Sequence, residues 1–203
     1  MTLPGDSGFG DSPMKKLLTL LCLPLIPCTF ALASEKAFEA ALFHPIQIHD
    51  ENTDIKGIRL NVFYAVNNDV TGVDLGFFGL GKAQGDQAGV SWNFIGSIVE
   101  GDFVGWQSGI YTDVGGSFTG LKGGFINIQR GSMVGWQYGA VNLAHSEFTG
   151  LQSGIFNRAE DMKGLQLGLI NYAENLHGLQ IGLANINASG DPLYFFPFVN
   201  FSF

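Results

Sequence analysis

Few side chains in this sequence are spaced for chemistry. His44, His49, Asp50, Glu51 and Asp54 fall within one short acid-rich stretch, and imidazoles with carboxylates are ordinary zinc donors. The plainer reading of that stretch is a solvated lead-in to the first strand. His145 and His177 lie in different turns, and neither has a partner at ligand spacing. Gly79-Leu80-Gly81 lacks the third glycine and the following helix of a dinucleotide fingerprint, so it reads as turn chemistry. No Gly-x-Ser-x-Gly elbow occurs. The only cysteines, Cys22 and Cys28, sit near the N-terminus. We therefore expect no catalytic residue, no metal site and no cofactor.

One polar feature recurs. Gln107, Gln137, Gln152, Gln166 and Gln180 occupy the same place in five copies of a repeat. Two readings stay open. The amides satisfy one another within a wall, or they form a polar strip that binds a glycan or lines a lumen.

The elements that carry this row are the repeats themselves. Units of 14–17 residues begin at Ile55, Val70, Gln87, Phe103, Phe118, Met133, Phe148, Met162 and Leu176. Each reads apolar-x-Gly-apolar-polar-x-Gly-apolar-apolar-Asn and then a variable stretch. Position three is Gly57, Gly72, Gly89, Gly105, Gly120, Gly135, Gly150, Gly164 and Gly178, which we read as the repeat's turn glycines. Position four is always large and apolar, with Trp106 and Trp136 among its members. Asn127, Asn142, Asn157, Asn171 and Asn185 close the core of the last five units. Positions three to eight alternate with period two, the strand period. The alternation slips at positions eight and nine, which suggests a bulge or bend. Only the stretch from Glu35 to Leu42 could form a short helix.

All-β structure is the expectation, and we favour a closed, roughly ring-symmetric β-barrel of about nine strand-turn repeats plus a C-terminal strand. An open solenoid needs polar caps, whereas this chain ends in the apolar run Leu193 to Phe203, which would pair most simply with the first strand. Variable unit length also suits a meander's turns. The alternative is an open β-solenoid, in which the repeated Asn would form a ladder.

Residues 1–13 read as an over-extended start. Residues 14–33 read as a signal peptide, with Lys15-Lys16 before an apolar run and Ala31-Leu32-Ala33 at the cleavage site. Pro27 before Cys28 is the wrong residue for lipidation. Residues 34–54 form a lead-in segment, and residues 55–203 a single repeat-built domain. Charged residues make up only 14% of the 203-residue chain, and the net charge is −8. That balance excludes nucleic acid, which needs clustered Lys and Arg.

The GLQxGLxN units, the lead-in Gly57-Ile58-Arg59-Leu60-Asn61 and the Pro-x-x-Asn-x-x-Phe ending resemble the bacterial surface-repeat family first named from spirochaete proteins. The resemblance spans roughly residues 40 to 203. It implies an envelope location and carries no activity. The Phe-rich last strand, ending at Phe203, also resembles the terminal signature of outer-membrane barrels. The expected function is a non-enzymatic cell-envelope scaffold of unknown ligand. The alternatives are a small outer-membrane β-barrel and a periplasmic or surface glycan-binding module. Partners would be outer-membrane or envelope components. The location would be the outer membrane, the cell surface or the periplasm.

Overall fold

The computed structural model describes residues 35–203. Residues 14–33, read above as a signal peptide, and with them Cys22 and Cys28, lie outside the described residues.

Each repeat unit bends once and so supplies two strand segments. The first segments stack in parallel. β3 (Ile55–Asn67) pairs with β4 (Val70–Gly76), β4 with β6 (Gln87–Asn93), and β6 with β8 (Phe103–Val114). β8 then pairs with β9 (Phe118–Gln129), and β9 with β10 (Met133–Asn187). The register is that of the repeat, with Ile55 opposite Val70, Val70 opposite Gln87 and Gln87 opposite Phe103. The second segments stack likewise, through the end of β3, then β5 (Leu80–Ala83), β7 (Gly96–Val99) and the end of β8. Each unit is thus one coil of a β-solenoid.

This overturns the expected closed barrel. In a meander, short turns make neighbouring strands antiparallel. Here the corner inside each unit sends the chain around the coil, so each segment meets its counterpart in the next unit. The sheet path runs open from β11 (Phe195–Ser202) to β2 (Ile46–Gln47), and the last strand does not meet the first. The slip at positions eight and nine is that corner. The extra residues of the longer units are also accommodated there, since strand structure lapses at Phe77–Gly79 and at Phe94–Ile95.

The Glu35–Leu42 stretch is not helical. β1 (Lys36–Phe43) pairs in parallel with β3, because the open edge of the first coil outweighs the weak helical preference of so short a segment. Both ends of the stack carry antiparallel strands. β2 reverses onto β1. β11 reverses onto the last coil, with Leu179 opposite Phe201 and Ile181 opposite Val199. Pro197 within β11 lacks the amide donor that a further strand would need.

The core has two halves. Beside the turns, position-one side chains stack along the axis: Phe103, Phe118, Met133, Phe148, Met162 and Leu176, all buried. Phe103 and Phe118 lie ring on ring at 4.9 Å. Small residues face them from the second segments, among them Val99, Val114, Ala144, Ala159 and Ala173. Beside the corner the interior is polar.

Candidate functional site: polar ladders inside, an apolar edge outside

The position-three glycines lie within strands rather than in turns. Their φ angles run from 118° to 154°, a region that L side chains rarely adopt. A Cβ on Gly150 would stand 2.0 Å from the carbonyl oxygen of Gly135 one coil below. The other eight meet the same obstacle at 2.0–2.2 Å. These residues set the closeness of the stack.

Every member of the Gln row is fully buried. Gln152 Nε2 donates to Gln137 Oε1 at 2.9 Å, Gln166 to Gln152 at 2.7 Å and Gln180 to Gln166 at 2.8 Å. The same amides cross the coil to carbonyls of the second segment, at Arg158, Tyr172 and Ile186. From Gln137 to Gln180 the geometry matches mutual satisfaction, whereas Gln107 donates to Ser97 and its Oε1 has no partner among the described residues. A ligand outside the coil cannot reach these amides.

The Asn row is a second ladder that runs the other way. Asn127 Nδ2 donates to Asn142 Oδ1, and the step repeats through Asn157, Asn171 and Asn185, each at 2.8 Å. Each of the first four Nδ2 groups also donates to a carbonyl in the next coil: Tyr138, Ser153, Leu167 and Ile181, all at 2.9 Å. Gln amides donate toward the N-terminal coil and Asn amides toward the C-terminal one, so the two rows of dipoles oppose each other. Chains of amides polarise one another in a dry interior, which strengthens each link.

The early units place charge where later ones place Gln. Arg59 Nε and its terminal nitrogen each donate to Asp74 at 2.8 Å, and the third nitrogen donates to the Lys82 carbonyl at 2.8 Å. Gln87, Ser91 and Asn93 also donate to Asp74. Burial alone would raise the Asp74 carboxyl, but the Arg59 guanidinium and these donors outweigh it and hold the carboxyl below its usual value of 3.8. Lys122 is the odd member. It is fully buried, donates to Gln129 Oε1 at 3.0 Å and lies over the Phe118 ring. Burial pushes its ammonium well below the ordinary 10.5. Sequence reasoning passed over Arg59, Asp74 and Lys122, although alignment on the glycines puts all three at position five.

Outside, the pattern inverts. Exposed charge lies along the turns and the flanks beside them, where Asp69, Asp86 and Asp102 each accept the backbone amide of the next coil at 2.7–2.8 Å. Position four faces outward, so the apolar row that could have formed a core is on the surface: Ile58 is 46% exposed, Trp106 38% and Trp136 41%. The corner is more exposed still, with Phe77, Phe94, Ile110, Phe125, Ile155, Leu169 and Leu183 at 48–62%. In the lead-in, His44 Nε2 stands 3.3 Å from Glu51, within an open depression that His49 and Asp50 also line. Among the described residues, no group of three His, Cys, Asp or Glu side chains is placed to hold a metal ion.

No family model matches the chain, and no curated protein or solved structure matches it.

Proposed function

We propose that this chain is a non-enzymatic scaffold of the bacterial cell envelope. The observation that carries the reading is how its side chains divide. The recurring Gln and Asn are fully buried and bonded to one another and to the backbone, while the recurring exposed side chains are apolar. A surface repeated in this way offers contact area rather than a reacting constellation. Repeat solenoids present such extended surfaces. The signal-peptide pattern of residues 14–33 and the resemblance to surface-repeat proteins support the location.

Cell fractionation with N-terminal sequencing of the recovered chain tests it. The expected result is a chain beginning at Ser34 in the envelope or periplasmic fraction. A chain retained whole in the cytoplasm would overturn the reading.

A further inference from the structure

The solenoid is inside-out along one edge. In ordinary soluble proteins, repeated amides face water and repeated Phe, Ile and Leu face the core. Here the interior beside the corner is polar, while the outer surface of that corner is apolar. Across all nine units, positions four, six and eight hold no Asp, Glu, Lys, Arg or His. The ridge does not stop at the repeats. Phe38 and Leu42 of β1 extend it at one end and Phe196 and Val199 of β11 at the other, all at least 41% exposed. At about 4.8 Å per coil, the nine units make a ridge about 40 Å long.

We infer that this ridge enters the apolar layer of a lipid bilayer, with the solenoid axis lying along the membrane plane and the charged turns facing water. Three observations select lipid over a second copy of the chain. First, the apolar surface is convex and runs from positions four and six over the corner to Phe63, Phe78, Ile95 and Ile170 at position nine, beyond which Lys82, Asp113 and Arg158 bring charge back on the far flank. A fluid medium can follow such a ridge, whereas a flat self-complementary face cannot cover it. Second, the corner backbone is satisfied from within, as apolar surroundings require. Phe94 N donates to the Gly76 carbonyl and Ile110 N to that of Phe94. The Asn ladder covers position-six carbonyls from inside. Third, aromatic residues are ordered by depth. Trp92, Trp106 and Trp136 lie at positions four and six, about 7–13 Å along the strand from position eight. Indole rings favour the headgroup boundary, and Phe, Ile and Leu favour the acyl chains beyond it. The net charge of −8 gives no attraction to anionic lipid, so insertion is apolar in origin and insensitive to salt.

The inference names a partner for the proposed scaffold and rests on that reading. Its test does not use cellular location, so either can fail alone. The full chain is mixed with phosphatidylcholine vesicles that carry bromine at stepped depths of the acyl chain. All three tryptophans lie on the ridge flank and none in residues 1–34, so their quenching reports the ridge and not the apolar N-terminal segment. We expect a blue-shifted emission, quenching strongest for the shallow bromines, and no change on adding molar salt. The double variant Phe94→Asp/Phe125→Asp should raise the half-saturating lipid concentration about tenfold or more. Its thermal midpoint should stay close to that of the parent chain, because both side chains are exposed. The variant Lys163→Glu, at position two beside the turn and away from the ridge, should bind as the parent does. Unquenched tryptophans at saturating lipid would overturn the inference. So would a dimer in sedimentation that the double variant dissociates, since the ridge would then belong to a second copy.

Discussion

The first coils and the last coils solve the same interior in different ways. From Asn127 onward, one amide per row and per coil repeats, and each is bonded to the same amide in an adjoining coil. Before it, position five runs through Glu39, Arg59, Asp74 and Ser91, and the Asn positions hold Ala65, Gly81, Ser97 and Thr112. The buried polar atoms without a partner among the described residues all lie in this earlier part. They include Asn61 Oδ1, both side-chain polar atoms of Asn67, Gln87 Oε1 and Gln107 Oε1. A uniform row satisfies itself, because every coil is the template for the next. A mixed row depends on particular pairs, and any mismatch is left dry. Desolvating a polar group without a partner costs about 1–3 kcal/mol, so the early coils are the weaker half.

The sharpest way to break this contrast is Asp74→Ala. It strands the buried Arg59 guanidinium and removes the acceptor for Gln87, Ser91 and Asn93. Losing one partner of a buried pair costs about 3–5 kcal/mol. In urea unfolding followed by amide exchange, protection should fall in β3 to β7 while β10 stays protected, since solenoid stability is a sum of local terms. In the parent chain the folded carboxyl titrates below 3.8. Between that lowered value and 3.8 the folded state binds fewer protons than the unfolded chain, so stability rises with pH through that window and is complete above it. The Asp74→Ala chain should lack that acid-dependent step.

Asn157→Ala probes the uniform half. It removes the bond to Asn171, the bond from Asn142 and cover for the Leu167 carbonyl. About 2–4 kcal/mol should be lost at the orphaned groups, with raised exchange confined to coils on either side. An effect spread evenly over the whole stack would count against local coupling.

The smallest effect has the opposite sign. Lys122 interrupts the Gln row between Gln107, whose Oε1 has no partner, and Gln137, whose Nε2 reaches only the Asn127 carbonyl at 3.5 Å. Lys122→Gln supplies a donor to Gln107 and an acceptor to Gln137, and it removes a buried amine. A gain of about 1–2 kcal/mol is expected from two restored bonds. The folded Lys122 amine titrates well below 10.5, so between those values the unfolded chain binds more protons and the parent gains stability as pH rises. The variant's advantage should therefore be largest at neutral pH or below and narrow toward pH 10.5. Denaturation midpoints across that range give the answer, and an advantage independent of pH would place the benefit elsewhere.

The unit length, the strand character, the corner and the fixed glycines were all legible in the sequence. Alternation separates two faces but does not say which one is inside. The habit of placing Gln outside and Leu inside fails when stacked amides satisfy each other. Position five was polar in every unit, so Arg59, Asp74 and Lys122 were already in line with the Gln row. Barrel and solenoid both follow from strands of this length. What separates them is whether neighbours run parallel, which depends on both segments of a unit pairing onward. The apolar chain end suggested closure, yet β11 places Asn200 and Ser202 inward and its Phe residues outward, in keeping with the coil beneath it.

The reversed strands at the two ends bear on growth. A bare coil exposes a parallel edge that would accept another molecule's first coil, and then another, giving a filament. β2 and β11 present edges of the opposite polarity, and Pro197 withholds a donor. They act as chain terminators in the polymer sense. Between them, the units that begin at Met133, Phe148 and Met162 share one set of ladder residues, so duplication or deletion of one of these would lengthen or shorten the rod in single steps while keeping both stops in place.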